Sequence, residues 1–390
     1  MEEQYDAKNN DTDNQPKLPV LLIYYILDTF IDPDWKFFIH KESIMKSKVF
    51  SIELIMKSGM EEYFKEVLLS EKFKNNLCYE ASKRGYLTTL KWARDNGCDW
   101  DWKTCSIAAS KGYLHILQWA RQNDCPSYSY IIRVGSDYYR TGRLPPTSEN
   151  KCEISHAAAT GGHLNCLMWA IENGCEWDTK TCMFAAAYGH LHILQWARQN
   201  GCPWDSKTCT YAAFKGQLET LQWARDNGCD WNSETCEKAA DGGQLKTLKW
   251  LRQNGCPWDT KTCSIAAFRN HLNILQWARQ NGCEWDSETC SRAAALGSLD
   301  CLIWARENGC PWDSETCAEA AYRGQLNCLQ WARANGCEWD SDTCTSAAAC
   351  GHLNCLQWAR ENNCTWDRKK CLSLAKSKKY IEMITWIEKN

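Results

Sequence analysis

The chain has 390 residues, with 45 basic and 48 acidic side chains and a formal net charge of −3. That balance argues against wholesale neutralisation of a nucleic-acid backbone. Tryptophan (22) and cysteine (26) are far above ordinary usage, while the longest apolar run, Leu18 to Leu27, is too short to span a bilayer.

Residues 1–17 (MEEQYDAKNNDTDNQPK) have no apolar core. They read as a disordered tail rather than a signal peptide, so a cytoplasmic or nuclear, non-secreted protein with reduced thiols is expected. Residues 18–35 (LPVLLIYYILDTFIDPDW) come next, with helical character between Pro19 and Pro33. Through Leu18, Pro19, Leu22, Ile26, Leu27, Asp32 and Pro33, this stretch resembles the opening of an F-box. It departs from that pattern at Leu21, where an acidic residue is usual, and residues 35–50 have no clear counterpart. The resemblance implies docking on the Skp-family linker of a cullin ubiquitin ligase. The other reading of the same residues is an apolar cap on the remainder of the chain. Residues 18–75 as a whole read as a helical N-terminal region shielding the first repeat.

From residue 76 the chain is a repeated word. Trp92 and Trp119, then Trp169, Trp196, Trp223, Trp250, Trp277, Trp304, Trp331 and Trp358 recur at 27 residues, with one step of 50. A fixed period of this length marks a solenoid. In the unit that starts at Asp205, the aspartate is a good N-cap and helix one passes through Cys209, Ala212 and Ala213. Gly216 suits a left-handed turn, helix two carries Leu218, Leu221 and Ala224 on one face, and Gly228 ends it. Two short helices that cannot bury both faces alone must stack on neighbours.

The string AAFKGQLETLQWARDNGCD resembles the ankyrin repeat, with Cys229 where that family has alanine. The family's unit is about 33 residues, and the residues missing between Asp230 and Ala239 are those that would make its β-hairpin finger. The expected fold is all-α: an ankyrin-like α-solenoid of stacked helix pairs with short loops and reduced or absent β-hairpin fingers. Short Trp- and Cys-rich units of this kind look like those encoded in arrays by large DNA viruses of amoebae. The resemblance covers roughly residues 77–390, and about eleven units are expected, the last a C-terminal cap at 367–390.

The residues most tempting as chemistry read as scaffold. Two cysteine series, one closing helix two (Cys202, Cys229) and one on helix one (Cys209, Cys236), lack any Cys-x-x-Cys knuckle and read as small buried side chains. The tryptophans, which could stack bases or sugars, read as two ladders inside the core. His163, His190, His271 and His352 occupy a turn slot where a bond to backbone is the ordinary role. No nucleophile with a base, phosphate-binding loop or metal motif is present in the sequence. Neither an enzyme nor a cofactor is expected.

Recognition is expected where units differ. An insertion at 126–154 carries Tyr128, Tyr130, Tyr138, Tyr139, Arg133, Arg140 and Arg143, a binding-type composition in a long loop or hairpin. On helix one, the varying outward positions include Phe184, Tyr188, Tyr211, Phe214, Lys215, Ile265, Phe268, Arg269, Tyr322 and Arg323, with Lys238, Asp241, Arg292 and Glu319 among them. The ankyrin resemblance places this row on a concave contact face. The resulting function is a protein-protein interaction scaffold, serving as a ligase substrate adaptor if the F-box resemblance holds. The alternatives are an interaction or structural array without ligase contact, and a nucleic-acid binder.

Overall fold

The computed structural model describes residues 76–126, 132–134, 137–139 and 153–390. The chain divides into two units at the 75/76 junction, and the second is taken by itself. The tail, the F-box-like stretch, Tyr128, Tyr130, Arg140 and Arg143 lie outside the described residues.

Twenty-two helices among the described residues form eleven pairs. The pairs are α1 (Leu77–Arg84) with α2 (Leu87–Asp95), α3 (Trp102–Ser110) with α4 (Leu114–Gln122), α5 (Glu153–Gly161) with α6 (Leu164–Glu172), and α7 (Thr179–Ala187) with α8 (Leu191–Gln199). They continue as α9 (Ser206–Phe214) with α10 (Leu218–Asp226), α11 (Ser233–Asp241) with α12 (Leu245–Gln253), α13 (Thr260–Phe268) with α14 (Leu272–Gln280), and α15 (Ser287–Ala295) with α16 (Leu299–Glu307). The last three are α17 (Ser314–Tyr322) with α18 (Leu326–Ala334), α19 (Ser341–Cys350) with α20 (Leu353–Glu361), and α21 (Arg368–Lys378) with α22 (Ile381–Lys389). No strand lies between consecutive units among the described residues, apart from the insertion. The two strands present, β1 (Ile132–Val134) and β2 (Asp137–Tyr139), pair antiparallel within it. Tyr138 and Tyr139 are therefore strand residues, and α5 begins at Glu153.

Helices of nine residues are too short to persist alone in water, so the chain secures their ends. Asp205 accepts the Lys207 N–H at 3.0 Å, and Asp101, Asp178 and Asp259 make the same bond at 2.9–3.1 Å. At the other end of α9, Gly216 takes φ +71°. Its N–H donates to the Ala213 carbonyl at 3.1 Å and that of Gln217 to Ala212 at 2.9 Å, a Schellman closure.

The core runs through the middle of each pair. Cys209, Ala212, Ala213, Leu221, Ala224 and Cys229 are all fully buried, and the corresponding residues of neighbouring units repeat the pattern. Successive first helices pack directly on one another, whereas successive second helices meet at few points. The alanine pair explains the difference: without bulk at Ala212 and Ala213, helix axes can close toward the short end of the usual 8–10 Å range. Between interior units, two first-helix contacts, α5 to α7 and α11 to α13, are sparser than the others. There the third position of the buried run holds His156 or Glu237, where Ser106, Thr210, Ser264, Ser291 and Thr345 stand in other units.

The tryptophans depart from the expectation of a core ladder. Every one among the described residues is half-buried, at the edge of the stack. In most units they pair edge to face, as Trp204 does with Trp223 at 6.0 Å and Trp258 with Trp277 at 5.8 Å. The guanidinium of the preceding helix two covers the loop ring, Arg252 over Trp258 at 4.2 Å. The reason is volume: the narrow seam between alanine-lined helices has no room for an indole, so the rings seal the rim instead.

Candidate functional site

Almost every position of the repeat is occupied with holding the repeat together. In WARDNGC (Trp223–Cys229), the Ala224 carbonyl accepts the Cys229 N–H at 2.9 Å and Asn227 Nδ2 donates to the Trp223 carbonyl at 2.8 Å. Arg225 donates to the Cys229 carbonyl at 3.2 Å, and the Cys229 thiol donates to the Asp205 carbonyl at 3.3 Å. All described cysteines except Cys175 and Cys350 are buried. Burial pushes the Cys78 thiol up to about 12 and that of Cys166 up to about 11. The hydrogen bond to Cys229 and burial raise Cys209 as well, while the same bond lowers Cys229. No cluster of three or more metal-ligating side chains occurs among the described residues.

The turn histidines also act as packing and backbone partners. His190 Nε2 lies 3.0 Å from the Thr160 carbonyl, and a Cβ on Gly112 would fall 2.5 Å from the His163 ring. Burial and the neighbouring His190 hold the His163 imidazole below its usual value.

Apart from Met168 and Ile381 on second helices, the exposed large apolar side chains lie on the first helices or at their C-terminal ends. Tyr188, Tyr211 and Tyr322 are 46%, 40% and 41% exposed, and Leu296 joins them at 41%. Phe184, Phe214, Ile265 and Phe268 are half-buried between neighbours, while Lys215, Arg269 and Arg323 stand exposed. Phe184 meets the His156 ring edge on at 5.8 Å. The Lys215 ammonium lies 5.3 Å from the Phe214 ring centre and 5.9 Å from that of Tyr188, joining two units. Arg269 covers Phe268 at 5.5 Å and Arg323 covers Tyr322 at 5.5 Å. Ile265 lies on the same first-helix row without joining these clusters.

Lys238, Asp241 and Arg269 are separate variable positions in the sequence; the structure joins them. Asp241 accepts from Arg269 of the next unit at 2.6 Å and from Lys238 at 3.2 Å. Burial works against its charge, but the two hydrogen-bonded cations outweigh that and hold the carboxyl below its ordinary value. Glu237 shows the opposite: burial, then the Asp259 carboxylate, raise it. His156 does not stand out in the sequence, because the unit that holds it has lost its Thr-Cys signature. Its Nε2 lies 2.7 Å from Asp178 Oδ1, tying α5 to the cap of α7.

No helix among the described residues is long and apolar enough to cross a membrane. No protein-family model matches the chain, and no curated protein matches it. Among solved structures, the chain is similar to the human ASB11 ankyrin repeat domain, at 14% identity and a TM-score of 0.34 over 40% of this chain and 84% of that one.

Proposed function

We propose that residues 76–390 form an ankyrin-type scaffold that binds a protein partner through its first-helix face. One observation carries this reading: Tyr188, Tyr211 and Tyr322, at three different positions of the repeat, stand 40–46% exposed on the first helices or at their C-terminal ends. Aromatic anchors with basic neighbours are the composition of a binding patch. The rigid stack beneath holds them in place before binding, which reduces the ordering cost of association. Replacing Tyr188 and Tyr211 by alanine in the full chain tests it. Loss of partner recovery from a lysate, with far-UV circular dichroism and melting unchanged, is expected. Undiminished recovery rejects the face.

The Leu18–Pro19 and Asp32–Pro33 pairs in the sequence support a further role for the same scaffold, as the substrate-selecting arm of a cullin ligase. Co-purification with the Skp-family linker, lost on deleting residues 18–40, is the outcome required. The unbridged thiols fit a reducing compartment, cytosol or nucleus.

A further inference from the structure

The first-helix face carries a longer period than the repeat itself. The last residue of the buried run's helix and the one after it are Phe214–Lys215, Phe268–Arg269 and Tyr322–Arg323, each separated from the next by two units. The units between have Asp241–Gly242 and Ala295–Leu296. All three pairs adopt one geometry, the cation 5.3–5.5 Å from the centre of the ring beside it. Each presents an aromatic floor and an exposed cation, and Arg269 in addition donates through Nε to Asp241 at 2.6 Å.

The charge at this position is one-signed along the array. Across ten units it holds Arg84, Lys111, Lys215, Arg269 and Arg323 and never a carboxylate, although the whole chain is net negative. Exposed cation-ring contacts stabilise a fold by only about 0.5–1 kcal/mol, and the rings make no use of the cations' outer hydrogen-bond donors. A carboxylate beside an apolar group would use both halves of each pair.

We infer that the three aromatic–cation pairs read an extended acidic peptide segment laid along the first helices. Stacked helices lie about 8–10 Å apart, so pairs two units apart are separated by about 16–20 Å. An extended chain covers that distance in about five or six residues, which sets the spacing of the acidic residues it must carry. The partner is a peptide rather than a nucleic acid. A nucleic-acid strand carries a phosphate on every nucleotide and would pass Asp241, between the first two pairs, and Glu319, on the helix of the third. Spaced carboxylates pass neither.

This inference rests on the proposed protein-binding face. The experiment is fluorescence anisotropy with the full chain and a labelled synthetic peptide of about 20 residues, bearing Glu-Leu pairs at about six-residue intervals in a Ser/Gly background. Expected are saturable, salt-sensitive binding and loss of about threefold in affinity for each of Lys215→Ala, Arg269→Ala and Arg323→Ala. The triple variant should lose about thirtyfold, and a peptide with Lys in place of Glu should not bind. No saturable binding, binding indifferent to the triple variant, or tighter binding of an oligothymidylate overturns it. If the Tyr188 and Tyr211 variant loses its cellular partner while the acidic peptide fails to bind the wild type, the face stands and the acidic segment falls. If neither effect is seen, both fall.

Discussion

The guanidinium carbon of Arg225 lies 4.5 Å from the centre of the Trp231 ring, and its Nη1 donates to the Cys229 carbonyl. One side chain thus closes helix two of its own unit and seats the tryptophan that opens the next. Repeated along the stack, the contact couples each unit to its neighbour at the rim, where the alanine seam provides no bulk.

Trp258→Ala removes both the edge-to-face contact with Trp277 and the ring under Arg252. Since the ring is half-buried, a loss of about 2–3 kcal/mol is expected. Urea unfolding followed by circular dichroism measures it, and hydrogen exchange should rise first in the pairs flanking residue 258.

Gly242 and Gly228 separate two reasons for glycine. A Cβ on Gly242 would fall 1.9 Å from the Phe214 carbonyl oxygen, so Gly242→Ala must push two first helices apart, at about 2 kcal/mol. Gly228 has φ +85° and open space around it, so Gly228→Ala costs only the left-handed strain, about 1 kcal/mol. Denaturation midpoints should rank the two in that order.

Two carboxylates give opposite pH dependence. Asp241 is held below its unfolded value, so its contribution is present above the unfolded carboxylate range and is lost as pH falls through the depressed value. Glu237 is raised, so the folded state holds its proton longer and the penalty of charging it appears as pH rises through the raised value. Glu237→Gln should therefore raise the melting temperature at neutral pH, with the difference vanishing in acid. Asp241→Asn should do the reverse at neutral pH, since it strands Arg269 and Lys238. Melting curves from pH 3 to 7 check both.

The thiols make a count. Among the described cysteines only Cys175 and Cys350 are not buried, so an aromatic disulfide reagent should label few of the 26 thiols in the native chain. All should react in denaturant. Rapid labelling of most of them without denaturant would contradict the buried assignment.

The 27-residue word determined the helix pairs, because their caps and stops are local: Asp205 needs only the next two residues, and Gly216 only the preceding turn. The buried face of each helix was legible for the same reason, since Cys209, Ala212 and Ala213 are set by helical periodicity. The outward row followed by subtraction. What only the tertiary structure decided depends on the distance between units. The indoles sit at the rim because helices brought together on alanine leave no room between them. Asp241 meets Arg269 because stacking places residues 28 apart side by side. The pairing of Lys215 with both Phe214 and Tyr188 likewise belongs to the stack, since it joins a residue to its own helix and to the unit before.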